Sequence, residues 1–412
     1  MSGVIAGLDI GTSKIRVVVG ECNDNGTFEI IGVGSCLSTG LQKGIIRNID
    51  VTCNSVKAAV ESAEIMSGRD IETLFVGIGG PNIESVNSKG VAAVTGKNRS
   101  DREISEGDIA RAVEQATAVP IPMYRKMIHV LPRGYIVDEQ TKVKNPTNMI
   151  GVRLECEVHI ITASVDDMQK VVHSVRRAGY ELSDIGYNGY AAGVAVLNED
   201  EKDLGCVLID IGGGTTDVLV YKDGQPVYTS VLPYGGIQVT NDISAVHHIS
   251  SEMADRVKLE CGCCWLPLIE KDEPVIISGV TGMGPKEIPR SKICEVIYAR
   301  MAEIFSLVKD KISPYLKTGD FGGGIVLTGG GALLSGTLEL AGEIFGVPAR
   351  LGVPVLKGGL VSEYQKPDYA AALGLVLMGL ENNTENAPVS KKTESGGGKF
   401  FNFFNKIIKD FF

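Results

Sequence analysis

No apolar run in the 412 residues approaches the roughly 18 that a membrane-spanning helix needs. A leader peptide is not expected either, because Val4-Ile5-Ala6 runs straight into the first strand-like segment. Positive charge is short: 40 Lys and Arg stand against 50 Asp and Glu, and a net charge of −10 argues against nucleic acid as a general partner. Aromatics make up 6% of the chain, yet six of its eleven Phe fall within the last 14 positions. Nine Cys in a chain with no export signal are expected to be reduced cytosolic thiols. Cys261, Cys263 and Cys264 cluster, with His247 and His248 upstream. No second Cys-x-x-Cys pair supplies metal-site spacing, so these are expected to be small, partly buried residues after a helix. The rest, 44% hydrophobic and 22% charged, describes a globular protein long enough for two or more domains with their own cores.

What is present is organised around LIDIGGGTTDVLV, residues 208–220. An apolar strand ends in Asp210, Gly212, Gly213 and Gly214 turn the chain, Thr215 and Thr216 offer hydroxyls, and Asp217 opens the next strand. Three glycines let backbone N–H groups approach an anion with no Cβ in the way. Asp210 and Asp217, at the two ends of the turn, can hold a hydrated divalent cation, since Mg²⁺ keeps several waters and takes one or two carboxylates. Unlike a P-loop, the turn leads into more strand, with Asp223-Gly224 as the next turn. DIGTSKIRVVV at 9–19 aligns with DIGGGTTDVLV at 210–220 without a gap, each followed by a turn, Asn25-Gly26 in the first copy. Two copies so far apart predict two similar lobes facing across a cleft. In the first copy Lys14 sets a cation where a polyphosphate would lie.

Along the chain, 4–40 reads as a strand meander and Asp50–Ser67 as a helix with an apolar face of Val51, Val56, Val60, Ala63 and Ile65. Leu74–Gly79 is a short buried strand. From about 83 to 162 a small α+β insertion is expected: strand-like VAAVTG, a helix over Ile104–Ala118 opened by Ser105 with Asp108 three residues on, then strands around HVLPRGYIVD and VRLECEVHIITAS. A helix over Asp166–Ala178 returns to the first lobe. YNGYAAGVAVL (187–197) and PDYAAALGLVLMG (367–379) are rich in small residues and suit either a hinge or plain tight packing. IVLTGGGALLSG (325–336) is a third strand–glycine turn, with Gly329, Gly330 and Gly331 placed to lie flat against a nucleoside. Asp255 and Lys258 could contact its ribose or base edge, or simply form a solvated helix face.

Residues 381–398 read as a flexible linker. In the final KFFNFFNKIIKDFF, Phe400, Phe401, Phe404, Ile407, Ile408, Phe411 and Phe412 recur at helical spacing, with Lys399, Lys406 and Lys409 among the polar positions. Such a helix fits an interfacial anchor, with rings in the acyl boundary and lysines on anionic headgroups. A partner-binding or intramolecularly docked helix is the alternative.

Taken together, the two Asp-Gly-hydroxyl hairpins, the TGGGA turn and the two small-residue connecting segments resemble the actin, Hsp70 and sugar-kinase ATPase fold. Within it the chain is similar to the FtsA family of bacterial actin-like cell-division proteins, through HVLPRGYIVD followed by VKNPTNMIGVRLECEVHIIT, through VLPYGGIQVTNDI, and through the amphipathic end. The resemblance implies an α/β, actin-like two-lobed ATPase fold of two RNase H-like domains. Its implied division is 1–82 with 163–190, the insertion 83–162, 191–226 with 301–380, and a small subdomain 227–300, before the linker and the 399–412 helix. It implies ATP with Mg²⁺ as ligand: Gly11, Thr12, Ser13 and Lys14 with Gly212 to Thr216 around the phosphates, Asp9, Asp210 and Asp217 near the metal, Asp255 and Lys258 on the nucleoside, and Gly329 to Gly331 flanking adenine. Aspartate at 255 is one carbon shorter than the family's glutamate. It further implies that Arg290 and Arg300 face the acidic tail of the tubulin-like ring protein FtsZ. The insertion would serve self-assembly and later division proteins, and the protein would sit peripherally on the cytoplasmic face of the membrane at the division site. No catalytic base is identified in 187–197, so ATP turnover is expected to be slow or incidental. A soluble metabolite kinase of the same superfamily and an actin-like pilus or secretion scaffold are the rival readings. If the end of the chain is an anchor, deleting 399–412 abolishes pelleting with anionic liposomes; retained binding removes that reading.

Overall fold

The computed structural model describes residues 4–22, 28–95, 102–140, 142–277, 285–316, 321–355 and 364–385. The Asn25-Gly26 turn and the whole of 386–412, including Lys399, Lys406, Lys409 and the tail Phe and Ile positions, lie outside the described residues.

Two five-stranded sheets form the frame, and they are built to one plan. In the first, the order is Phe28–Leu37, Lys14–Cys22, Val4–Ile10, Thr73–Ile78 and Glu181–Tyr187. In the second it is Gln225–Leu232, Thr216–Lys222, Cys206–Ile211, Ile325–Thr328 and Ala349–Leu351. In each sheet the first three strands are antiparallel neighbours and the remaining pairings are parallel. The internal alignment of the two hairpins is therefore a real structural repeat: Asp9 lies opposite Arg16 in one register, and Asp210 lies opposite Asp217 in the other.

The insertion is a three-stranded sheet, Glu84–Ala93, Arg153–Ser164 and Arg125–Val137, covered by helix Glu106–Thr117. That helix starts where the sequence indicates. Ser105 and Asp108 cap each other reciprocally, and the buried Asp108 carboxylate also accepts from the Thr95 amide. The first-lobe helix, Ile49–Ser67, buries Thr52, Ser55, Val56, Ala59, Val60 and Ala63. Ile65, expected on that face, is 85% exposed. Two residues beyond Ala63 is about 200° around the helix, so the 3.6-residue period turns it to solvent. Four expected subdomain boundaries fall inside continuous elements: 162/163 inside Arg153–Ser164, 190/191 inside helix Asn188–Val196, 226/227 inside Gln225–Leu232 and 300/301 inside helix Arg290–Leu316. The closing helix runs Ala370–Glu385, so residues 381–385, expected in the linker, are helical.

Helices Asn188–Val196 and Ala370–Glu385 cross at the join of the lobes, and the small residues explain how closely. A Cβ on Gly374 would fall 1.8 Å from the Ala191 carbonyl oxygen. The apolar core continues through this join, from Leu8 and Val17 of the first sheet to Leu208 and Leu219 of the second. Gly374→Ala is expected to destabilise the chain in denaturant unfolding. Overpacking there costs roughly 1–3 kcal/mol, which outweighs the about 1 kcal/mol that alanine gains over glycine in a helix. A more stable variant would show that the crossing is looser.

Candidate functional site

The two hairpins meet tip to tip. A Cβ on Gly213 would lie 1.9 Å from Ser13 Oγ, and one on Gly214 would lie 2.6 Å from Thr12 Oγ1. Beneath the tips opens a cavity of about 570 Å³, within the usual range for a small-molecule site. Its wall includes Asp9, Gly11 to Lys14, Gly212, Gly213, Thr215, Asp210, Asp217, Asp255, Lys258 and Gly329 to Gly331. The third glycine turn is thus brought to the same place as the two hairpins. Its Gly329 has φ +80°, and a Cβ there would fall 2.1 Å from Asp210 Oδ1. Two expected residues stand apart. Gly214 packs against Thr12, and buried Thr216 donates its hydroxyl to the Tyr234 carbonyl at 2.9 Å. Strand alternation accounts for Thr216: with Asp217 on the cavity, its neighbour points the other way.

Each acid sits near a strand end; Asp9 and Asp217 are buried and Asp210 is half-buried. Asp9 accepts from the Asn188 amide at 2.8 Å; burial pushes its pKa up to about 6, against the pull of Arg16 and Asn188. Asp217 is likewise pushed up to about 6 by burial, although the Tyr187 hydroxyl donates to it at 2.8 Å. Asp210 is driven well above the usual carboxylate range by burial, then by the charges of Asp217 and Asp9. Arg16 is the counter-charge on this floor. It pairs with Asp368 and lies 5.0 Å over the Tyr369 ring. Arg16 Nε, Asn188 Oδ1 and Asp368 Oδ1 are buried with no hydrogen-bond partner, and all three residues line the cavity.

Sequence reasoning missed Arg16, Asn188, Tyr187 and Asp368. The gapless hairpin alignment held a signal for Arg16, since it occupies the place of Asp217 in the other copy. At the opposite wall, Lys258 Nζ bonds Asp255 at 2.6 Å, Thr240 at 2.8 Å and the Gly236 carbonyl at 3.3 Å. Burial raises the Asp255 pKa, but the Lys258 and Thr240 bonds and the nearby Lys14 charge bring it below the usual value. Helix Gly236–His247 begins here, with the Gly236 and Ile237 amides donating to the Gly212 and Gly213 carbonyls. The acceptor ends of the second turn are thereby tied to the helix. Of the two arginines expected to face one acidic partner, Arg290 lines the cavity and donates to the Cys261 carbonyl at 2.9 Å. Arg300, about 15 Å further along the same helix, is committed to Asp242 and Glu303. Cys261 is partly buried, Cys263 and Cys264 are buried, and all three are free thiols.

The acids set a pH dependence. Asp9 and Asp217 ordinarily titrate at 3.8, but do so at about 6 in the folded chain. Between those values the folded state holds more protons than the unfolded one, so stability falls as pH rises through that window and the penalty is complete at 7. Asp210→Asn is therefore expected to raise the nucleotide-free melting temperature by a few degrees at pH 7.5, and by less at pH 5. A fall at pH 7.5 would mean that the Asp210 charge is compensated.

A family model described as "Cell division protein FtsA" matches residues 207–374, one described as "SHS2 domain inserted in FTSA" matches 80–162, and one for the type IV pilus assembly protein PilM matches 127–263. The cell division protein FtsA of Borreliella burgdorferi is 41% identical over 91% of this chain and 90% of its own length. That of Pseudomonas aeruginosa is 39% identical over 94% and 92%, and that of Escherichia coli K12 is 33% identical over 98% and 97%. Among solved structures, the PilM-PilN type IV pilus biogenesis complex superposes with a TM-score of 0.63 at 16% identity, covering 91% of this chain and 98% of that one. MreB5 of Spiroplasma citri bound to ADP superposes with a TM-score of 0.56 at 17% identity, covering 93% and 99%. These two likenesses establish the actin-like fold. Identity of 33–41% along nearly the whole length establishes more: this chain belongs to the FtsA family of cell-division proteins.

Proposed function

We propose that this chain is an ATP-binding division protein that holds FtsZ polymers to the cytoplasmic face of the membrane, assembles with copies of itself and recruits later division proteins. The observation that carries the nucleotide part is the meeting of both hairpins and the third glycine turn around one cavity lined by three acids, Asp9, Asp210 and Asp217. Those acids fit a cation: burial holds all three above their ordinary pKa, neighbouring carboxylates add to this at Asp210 and Asp217, and positive charge would relieve both effects. Among the described residues no three His, Cys, Asp or Glu side chains converge as a ligand group, so Asp9, Asp210 and Asp217 would hold Mg²⁺ largely through water. Bound Mg²⁺ would supply positive charge between these acids and the phosphates of ATP. Gly11 to Lys14 with Gly212, Gly213 and Thr215 would orient the phosphates, Gly329 to Gly331 would back the base, and Asp255 and Lys258 would flank the nucleoside. ADP in the MreB5 structure, on a shared fold, supports this reading.

Turnover is slow in this reading. The connecting helix presents Asn188 to the cavity, its amide already donating to Asp9, and an amide cannot take a proton from water. That also disfavours a metabolite kinase, which needs a base beside its substrate. The pilus reading has PilM in its favour, but at 16% identity against 33–41% for FtsA proteins. Membrane attachment rests on the amphipathic end, because among the described residues no helix is long and apolar enough to cross a bilayer. One such tail binds weakly, and polymerisation along FtsZ presents many together. ATP favours the assembling state by binding the closed lobes better than the open ones. For Arg300 to meet the FtsZ tail, that tail must displace Asp242 and Glu303.

The deciding experiment asks whether purified protein carries FtsZ polymers onto anionic vesicles, with and without ATP. Co-pelleting that needs both ATP and residues 399–412 is expected; FtsZ left in the supernatant under all conditions overturns the tether. Gly213→Asp should weaken ATP binding at least tenfold, since the new side chain meets Ser13 and adds a further acid beside the phosphates, an effect of about 1.4 kcal/mol or more. Assembly should fall with it, and unchanged nucleotide affinity would remove the second hairpin from the site.

A further inference from the structure

The insertion is covalently part of the first lobe, yet it also grips the second. Ser85 Oγ donates to the Thr229 carbonyl at 3.0 Å and accepts from the Thr229 amide at 3.2 Å. Asn87 Nδ2 donates to the Val227 carbonyl at 2.8 Å, which fixes its Oδ1 as the acceptor for His159 Nδ1–H at 2.7 Å. His159 Nε2 is then left to accept from the Thr229 hydroxyl at 2.9 Å. Burial holds His159 neutral, its pKa lowered to about 3, so this arrangement persists across physiological pH. Strand Gln225–Leu232, the outer strand of the second sheet, is therefore held by side chains from two strands of the insertion.

A second connection runs from the insertion to the cavity. His129, on strand Arg125–Val137, accepts from the Tyr187 amide at 2.8 Å. The Tyr187 hydroxyl, fully buried, donates to Asp217 at 2.8 Å. Tyr187 sits at the entry to the connecting helix Asn188–Val196, the point where relative motion of the lobes must pass. A shift of the insertion is thus transmitted through one rigid ring to one acid of the site.

We infer that the insertion is a strap between the lobes and that Tyr187 is a positioning residue through which the docked strap holds Asp217 in place for a divalent cation and its nucleotide. This rests on the nucleotide reading above. Undocking Ser85, Asn87 and His159 from Val227 and Thr229 frees the second lobe, and Asp217 loses its fixed orientation. Anything that holds or lifts the insertion therefore sets the lifetime of bound nucleotide.

The test measures release of N-methylanthraniloyl-ADP from the full-length chain by chase with unlabelled ADP. With Mg²⁺ present, Asn87→Ala, remote from the cavity, and Tyr187→Phe, which removes one hydroxyl, are each expected to speed release about fivefold, the effect of one lost buried hydrogen bond. The double variant should release no faster than the faster single one, because both cut the same connection. With EDTA in place of Mg²⁺, all variants should release at the wild-type rate. Independent, multiplying effects, a wild-type rate for Asn87→Ala with Mg²⁺, or a speed-up that persists in EDTA would each overturn the inference. If Asn87→Ala folds poorly, Ser85→Ala removes a smaller part of the same interface and carries the same expectations. Should the wild type bind no labelled ADP, the nucleotide reading fails. The strap is then read by hydrogen exchange: faster exchange in 84–93 and 225–232 of Asn87→Ala supports it, and unchanged exchange ends it.

Discussion

Three carboxylates that line one cavity within reach of one another's charge, two of them buried and Asp210 half-buried, are the constraint on which the rest of the molecule depends. Asp9, Asp210 and Asp217 are each raised in pKa by burial, and Asp210 also by its two neighbours. A fold selected for stability alone would not assemble them, because burying like charges opposes folding at neutral pH. They persist because the strands that carry them are the central hairpins of two sheets, whose registers are fixed by apolar cores on both sides. The core holds the acids in an arrangement that protonation relieves and that, on the reading proposed above, a cation would relieve as well. Ligand binding and stability are then linked, since whatever neutralises the floor also strengthens the fold.

The duplication that built the site also had to be broken. If both hairpins carried Asp at the second strand, a fourth acid would face the other three. The first copy has Arg16 there instead, and it pairs with Asp368 at the head of the closing helix. That one substitution lowers the repulsion at Asp9 and ties the first hairpin to the segment beneath the third glycine turn, where Thr328 bonds the Pro367 carbonyl. The asymmetry therefore serves charge balance and also registers the two lobes.

What could be read from the chain was local or repeated. Glycine turns, the Ser105–Asp108 cap and the aligned hairpins are each encoded within a dozen residues, and the structure holds them where periodicity and turn chemistry place them. What could not be read was pairing across the fold. Arg16 and Asp368 are separated by 352 positions, Arg300 and Asp242 by 58, and nothing in either neighbourhood names the other partner. Arg300 read as an open charge for that reason, and Ile65 as core, because a loose apolar pattern admits a residue that a strict 100° step turns outward. Tyr187 was hidden differently. An aromatic residue at the end of a buried strand reads as packing, and only its hydroxyl contact with Asp217 shows otherwise.

The two ways in which the lobes are joined differ in kind. At the crossing of the connecting helices, glycine and alanine bring backbones together so closely that separation would expose apolar surface and leave voids, which is costly everywhere along the path. At the insertion, the second lobe is held by hydrogen bonds between side chains and an outer strand. Water can replace such bonds one for one, so the net cost of undoing each is small, about 1 kcal/mol. The first joint is therefore a permanent pivot and the second a fastening that can be released. On the nucleotide reading, a two-lobed protein that holds its ligand and later lets it go needs both, and here the releasable one leads, through His129 and Tyr187, to an acid of the candidate site.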